Sequence, residues 1–301
     1  MKVFQNKWLF TLIILAIILF FIYILRKVDT SKYSEGFTQD VPFLLKTNDS
    51  IYDSFYAMIY DDLYMTSKNS DYQYKKIIEM TQPSKEKSVF LDVGSGTGHL
   101  VNNLTKSGYE AYGIDKSQAM IDVSEKIFPN IEVKCSDITN PMSFDKGSLT
   151  HITCMDFTLY ELEDKKTFFN NCYYWLKPNG YLIVHLVDKQ RFSPITPAGN
   201  PLVNDNPQKY TPNRIKNTKI DFLDFEYTNK YDFSKNDDRV VKTETFTDYS
   251  TRNVRQNEIT LKMEDIDSVV YMIRGCGFIA HSQVALPTDE YQYIYIFERV
   301  M

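Results

Sequence analysis

Between Lys87 and Val187 the chain repeats one pattern: a short apolar run, a glycine or polar turn, then apolar residues at helical spacing. "VFLDVG" is apolar enough for a strand buried on both faces. "HLVNNLTKSG" predicts a helix ending at Gly108, and "EAYGID" a second strand ending at Asp115. "SQAMIDVSEKIF" predicts a second helix with Ser117 as its N-cap. "IEVKCSD" is a third strand ending at Asp137, and "LTHITCMDF" a fourth after the turn-like "FDKGS". "LEDKKTFFNNCYYWLKPNG" reads as a helix stopped by Pro178 and Gly180, and "YLIVHLV" as a fifth strand. Strands alternating with helices imply an α/β fold: a doubly wound, mostly parallel sheet covered on both faces.

The flanks break this pattern. "DKQRFSPITPAGNPLVNDNPQKYTPN" carries five prolines and two Asn-Pro steps, a long irregular loop of the kind that forms lids. "KIDFLDFEYTNKYDF", "RVVKTETFTDY" and "VRQNEITLKM" alternate apolar and polar residues, with "SKNDD" and "STRN" between them, and predict three antiparallel strands. "EDIDSVVYMIRGCGF" then predicts a helix, and "FIAHSQVAL" and "YQYIYIFERV" two last strands. Upstream, "SIYDSFYAMIYDDLY" has apolar or aromatic residues at helical spacing, with Ser50 and Asp53 in a capping arrangement.

The N-terminus is a separate object. Trp8 to Leu25 holds 18 residues without a charge, bracketed by Lys7 and by Arg26 and Lys27. A helix of that length spans roughly 27 Å, close to the hydrocarbon thickness of a bilayer. The flank "RKVDTSKYSEG" offers no A-x-A-like cleavage site, so an uncleaved single-pass anchor is expected over 8–25. The expected division is an anchor over 1–27, a tether over 28–45, a core over 46–187, a lid loop and β insertion over 188–263, and a last helix with two strands over 264–301.

Composition narrows the function. The net charge of −5 and pI of about 5.5 leave no basic track for nucleic acid, so no nucleic-acid partner is expected. Four scattered cysteines and four histidines form neither a CxxC pair nor an HExxH pattern, so no metal site is expected. Aromatics make up 15% of the chain, which fits a packed β-rich core or, alternatively, an aromatic substrate pocket.

The chemistry starts at "FLDVGSGTGHL". Gly94, Gly96 and Gly98 let backbone approach a ligand and expose N–H groups at a helix start. No GxxxxGK[ST] is present, and His99 stands where a dinucleotide fingerprint needs Gly or Ala. Asp92 beside the loop would repel a pyrophosphate but suits a cationic ligand. Asp115, 23 positions later, lies where an acid meets ribose hydroxyls. Asp92, Asp115, Asp137 and Asp156 all fall at or near strand C-terminal ends, where such sheets bind ligands.

With "YGIDKSQAMI", "VKCSDI", "ITCMDFTLYEL" and "WLKPNGYLIVHL" in order behind that loop, the chain resembles the class I, seven-stranded, Rossmann-like S-adenosylmethionine-dependent methyltransferases over roughly residues 50 to 187. The resemblance implies a seven-stranded sheet with an antiparallel last strand, and S-adenosylmethionine as cofactor. It implies that Gly94, Gly96 and Gly98 approach the methionine and ribose. Asp92 would orient the loop and the ammonium, and Asp115 would hold the ribose. Lys116 and Met120 would flank the adenine, Asp137 and Ile138 would bond it, and Met155 and Asp156 would line the reactive end. The tyrosine-bearing helix would close over the cofactor, with Tyr56 and Tyr60 as contacts. Asp156, Tyr160, His185 and Tyr60 are candidate bases or acceptor contacts.

The expected function is methyl transfer to N or O of a small-molecule, lipid-associated or membrane-proximal acceptor, by a membrane-tethered enzyme whose globular part faces the cytosol. A non-catalytic S-adenosylmethionine-binding module and an NAD-dependent oxidoreductase are the alternatives.

Overall fold

The computed structural model describes residues 7–26, 39, 41–200, 206–233 and 238–300. At its centre is a mixed seven-stranded sheet. Five strands pair parallel with one another: β2 (Val89–Val93), β3 (Glu110–Asp115), β4 (Glu132–Cys135), β5 (Leu149–Cys154) and β6 (Leu176–Val187). β12 (Asp289–Arg299) pairs antiparallel with β6, and β11 (Phe278–Leu286) antiparallel with β12, giving the order β11-β12-β6-β5-β2-β3-β4. Leu182, Ile183, Val184, Leu186 and Val187 of β6 are all fully buried, as a strand covered on both faces requires. α3 (Thr66–Thr81) and α4 (His99–Lys106) pack on one face through Ile77, Leu100 and Leu104. α7 (Lys165–Trp175) and α8 (Ile266–Gly275) pack on the other through Phe168, Trp175 and Ile273. The chain reverses its winding direction between β2 and β5, so the crevice beyond their C-terminal ends is the natural ligand site.

The β insertion is a five-stranded sheet, larger than the expected three strands. Its order is β1-β10-β9-β8-β7. The expected first strand folds into a hairpin, β7 (Asn217–Asp221) and β8 (Phe225–Phe233), closed by the Phe222 N–H bonding the Phe225 carbonyl at 3.0 Å. β9 (Arg239–Asp248) and β10 (Val254–Lys262) follow as expected; the turn at 234–237 lies outside the described residues. The fifth strand, β1 (Phe43–Thr47), comes from the stretch expected as tether and pairs parallel with β10. Its local pattern is too short to announce a strand; the open backbone edge of β10 supplies the partner. The tether residues 28–38 lie outside the described residues.

α2 (Ser54–Tyr64) belongs to this second sheet. Asp53 is its N-cap, accepting from the Tyr56 N–H at 3.2 Å, while Ser50 caps the preceding turn at Thr47. The capping role thus moves from Ser50 to Asp53, because a short 3-10 turn over Asn48–Ile51 intervenes. Phe55 packs edge-on against Phe225 and Phe246, with ring centroids 6.0 and 5.2 Å apart. Fully burying each such side chain contributes about 1.5–3 kcal/mol. Arg255 of β10 clamps Asp53 through two bonds of 2.9 and 3.0 Å. Met65, at φ 51°, ends α2 and starts α3, so the chain turns here from one sheet to the other.

α1 (Lys7–Arg26) is a continuous helix. Its described side chains, Trp8 and residues 11–20, are all exposed. Among the described residues, however, no helix is long and apolar enough to cross a membrane, so the expected anchor over 8–25 is not supported by the structure.

Candidate active site

A cavity of about 1430 Å³ lies between the C-terminal ends of the core strands, α2 and the second sheet. The glycine loop forms one wall. The N–H groups of Gly94 and Ser95 both bond the Ile114 carbonyl of β3, at 2.8 and 3.0 Å, which fixes the loop's path. Gly94 has φ +67°, and a Cβ there would meet Thr158 Cγ2 at 2.4 Å. Gly96 has φ +52°, lines the cavity, and has nothing within 4 Å of a Cβ position. Gly98 serves packing instead: a Cβ there would meet Ile131 at 2.6 Å, and the residue is not among those lining the cavity.

The acids take distinct environments. Asp115 accepts from the Gly96 N–H at 3.0 Å and from the Ser117 N–H at 2.8 Å. Burial pushes its carboxyl up, against the pull of those N–H groups and Lys116. Asp92 lies behind the loop, buried, and accepts from Thr153 Oγ1 at 2.6 Å. Burial raises it to about 7, opposed by Thr153 and reinforced by Asp156 and Asp115. Asp92 does not line the cavity, so it is not placed to meet a ligand's ammonium; its carboxylate is taken up by Thr153 of the neighbouring strand. Asp137 lines the cavity, but its Oδ1 accepts from the Thr139 N–H and hydroxyl, both at 2.8 Å, and these hold it below its ordinary value. Lys116, Met120 and Ile138 also line the cavity, with Lys116 ion-paired to Asp49.

The opposite wall carries Asp156, Glu161 and His185. Asp156 sits at φ 50° just past β5 and accepts from Gln73 Nε2 of α3 at 2.8 Å. His185 of β6 donates through Nδ1 to the Asp156 carbonyl. A carbonyl only accepts, so Nδ1 carries the proton and Nε2 of the neutral ring is an acceptor. That Nε2 is buried and makes no hydrogen bond of normal geometry, although the Gln292 side chain adjoins the ring. Burial holds the imidazole below its ordinary value, with Asp156 opposing. Glu161, on the short helix α6 (Thr158–Glu161), accepts from the Tyr52 hydroxyl; burial pushes its carboxyl up to about 7.

α2 closes the cavity and is latched at several points. Ser117 Oγ donates to the Tyr52 carbonyl at 2.6 Å. Asp61 accepts from Thr97 Oγ1 at 2.5 Å and from His99 Nε2 at 2.9 Å. His99, which argued against a dinucleotide fingerprint, therefore ties the lid helix to the glycine loop. Tyr52, Tyr56 and Tyr60 all line the cavity. On β9, Glu244 accepts from the hydroxyls of Tyr56, Tyr64 and Tyr227 at 2.7, 2.6 and 2.8 Å, with Lys242 Nζ 2.7 Å away.

Two of the expected site residues lie in the core. Met155 is buried against Phe90 and Ile77, on the far side of its strand. Tyr160 is fully buried, and its hydroxyl accepts from the Val187 N–H at 2.8 Å. Neither lines the cavity, because each points between packed elements. Sequence reasoning passed over Glu161, Gln73, Lys242 and Glu244. The last two left a signal: Val240, Lys242, Glu244 and Phe246 form the buried face of β9, and two charges there break its apolar alternation. Among the described residues no group of His, Cys, Asp and Glu is arranged to hold a metal ion.

The cavity has room at the glycine loop for a hydroxyl-bearing ligand. Gly96 leaves open space at the loop, Asp115 keeps lone pairs for hydroxyl donors, and no phosphate-cradling motif is present. Residues 90–180 match the family of methyltransferase domains. That stretch is similar to a methyltransferase domain. The chain is 35% identical over 118 residues to the ubiquinone biosynthesis O-methyltransferase of Coxiella burnetii, covering 38% of this chain and 49% of that protein. It is 30% identical over 136 residues to the phosphoethanolamine N-methyltransferase of Plasmodium falciparum, covering 43% and 49%. The chain thus spans about half the length of these curated relatives. Its fold is similar to that of an S-adenosylmethionine-dependent methyltransferase from Clostridium acetobutylicum, with a TM-score of 0.61 at 19% identity, covering 82% of this chain and 98% of that one.

Proposed function

We propose that the whole chain is a methyltransferase whose acceptor is a small molecule enclosed between the core and the second sheet. One observation carries this reading. A single cavity joins the glycine loop and Asp115 to a wall bearing Asp156, Glu161 and His185. S-adenosylmethionine, when bound, supplies a methyl group on a sulfonium. The domain's own residues would hold it: Gly96 by backbone approach, Asp115 at the ribose, and Met120, Lys116, Asp137 and Ile138 around the adenine. Enclosure by α2 and residues 192–200 excludes water and fixes orientation, the main catalytic term for an in-line displacement. His185 Nε2 is the group best placed to accept a proton from the acceptor.

Calorimetry of the full chain with S-adenosylhomocysteine tests the cofactor half. Saturable heat is expected, reduced at least tenfold in affinity by Asp115→Ala. Absence of heat, with Asp115→Ala indistinguishable from wild type, would refute the reading.

Attachment to a membrane is proposed from the apolar sequence of residues 8–25 alone, without support from the structure. The domain is proposed to face the cytosol, where its cofactor is available. Protease added outside intact cells should then leave the C-terminal region uncut; digestion from outside would reverse the orientation.

A further inference from the structure

The cavity is unbalanced in charge. Among the described residues that line it, ten are acidic and four are lysines. The lysines are already engaged: Lys116 with Asp49, Lys219 with Glu226 at 2.6 Å, Lys242 with Glu244 at 2.7 Å, and Lys68 also has a partner. Asp156 and Glu161 differ. Each is half-buried and open to the cavity, and each is held by a neutral donor, the Gln73 amide and the Tyr52 hydroxyl. Only Asp156 Oδ1 and Glu161 Oε1 receive these bonds among the described residues.

A second, independent feature points the same way. Two cavity-lining side chains, each 2% exposed, present acceptors without a donor. One is His185 Nε2, fixed as an acceptor by the Nδ1–H bond to the Asp156 carbonyl. The other is Asn229 Oδ1 of β8, whose amide nitrogen is already bonded to Thr196 Oγ1 at 2.9 Å. A buried polar atom without a partner carries a desolvation cost that a bound ligand can relieve. Carboxylates without a direct ion pair, and acceptors without a donor, both call for a ligand rich in N–H donors and bearing positive charge. Tyr60 adds an aromatic ring beside Asp156 and Glu161, and such faces attract ammonium groups.

We infer that the acceptor is a primary or secondary amine, taken up as its ammonium, with Glu161 as the residue that selects for the charge. This rests on the methyltransferase reading above. Asp156 lies closer to the loop, where Asp92 feels its charge, so it faces the cofactor side as well. Glu161 lies between Lys116 and Asp115 on the core side and Lys242 and Tyr231 of the second sheet, so it borders both halves of the cavity. Before the nitrogen can act as a nucleophile, an N–H bond must break. Its electron pair stays on nitrogen and the proton passes to His185 Nε2, giving the imidazolium beside Asp156.

The test uses the full chain saturated with S-adenosylhomocysteine, titrated with matched pairs: benzylamine against benzyl alcohol, and hexylamine against hexanol. The amine of each pair should bind at least tenfold tighter. Glu161→Gln should abolish that preference while leaving S-adenosylhomocysteine affinity within threefold. Tyr52→Phe, which removes the same hydrogen bond but keeps the charge, should retain the preference; that separates a charge role from a structural one. Equal or tighter binding of the alcohols, a preference that survives Glu161→Gln, or binding of neither member of any pair overturns the inference and leaves the methyltransferase reading standing. Failure to bind S-adenosylhomocysteine at all would bring down that reading too.

Discussion

Replacing Glu244 by alanine should uncouple the lid helix from the second sheet. Glu244 is fully buried and gathers three tyrosine hydroxyls and the Lys242 ammonium, itself 7% exposed. Two of those tyrosines, Tyr56 and Tyr64, are on α2, so the carboxylate is a cross-link between α2 and β9. Removing one partner of a buried ion pair costs roughly 3–5 kcal/mol, because the other charge is left uncompensated. The stranded hydroxyls add to that, though not additively. At about 2 °C per kcal/mol for a domain of this size, a cost of ~4 kcal/mol lowers Tm by about 8 °C. Thermal melts read by circular dichroism at pH 7.5 measure it. Replacing both members, Lys242→Met with Glu244→Met, removes the unpaired charge and should recover most of the loss. The pH dependence has a definite sign. Burial pushes the Glu244 carboxyl up, but Lys242, Tyr64 and Tyr56 outweigh it and hold it below the ordinary 4.5. Its stabilisation is therefore present above pH 4.5 and is lost as pH falls through its folded value. The Glu244→Gln and wild-type stability curves should converge in acid. A Tm change under about 2 °C for Glu244→Ala, or a double variant no more stable than the single, would refute this account of the latch.

Further predictions concern the glycine loop and the buried acid beneath it. Gly94→Ala should cost about 2–4 kcal/mol in chemical denaturation, from positive φ and the 2.4 Å clash with Thr158. Gly96→Ala, with open space at its Cβ, should cost only about 1 kcal/mol of stability but weaken S-adenosylhomocysteine binding at least tenfold; equal stability losses in the two variants would contradict their assigned roles. Burial raises Asp92 from 3.8 to about 7, so it favours folding below pH 3.8, and that contribution is lost as pH rises to about 7. A shift of that size corresponds to ~4 kcal/mol. Asp92→Asn should therefore flatten a fall in ligand-free stability between pH 5 and 7.5 measured by urea titration, and identical curves for the two proteins would count against it.

Much of the core was legible from local pattern. Apolar runs such as "YLIVHLV", the glycines of the first turn, and acids at strand ends place Asp115, Asp156 and the loop on one edge of a parallel sheet, because strand direction and crossover handedness leave few alternatives. Patterns of burial on both faces also exposed their own limits. Tyr160 and Met155 stand next to site residues in sequence, yet the side to which each points depends on packing, and both turn into the core. β1 was invisible because five residues gain strand geometry only by pairing with the β10 edge.

By itself, the sequence determined the alternation of strands and helices, the glycine turn, and the acids that exclude a pyrophosphate, since these depend on short-range periodicity and residue chemistry. Only the tertiary structure decided which distant side chains share the cavity. Glu161 meets Tyr52 across 109 positions, and Glu244 meets Tyr56 across 188. The physical reason is that charge balance and hydrogen-bond satisfaction belong to a folded neighbourhood, and no local pattern records which neighbour each buried group will find.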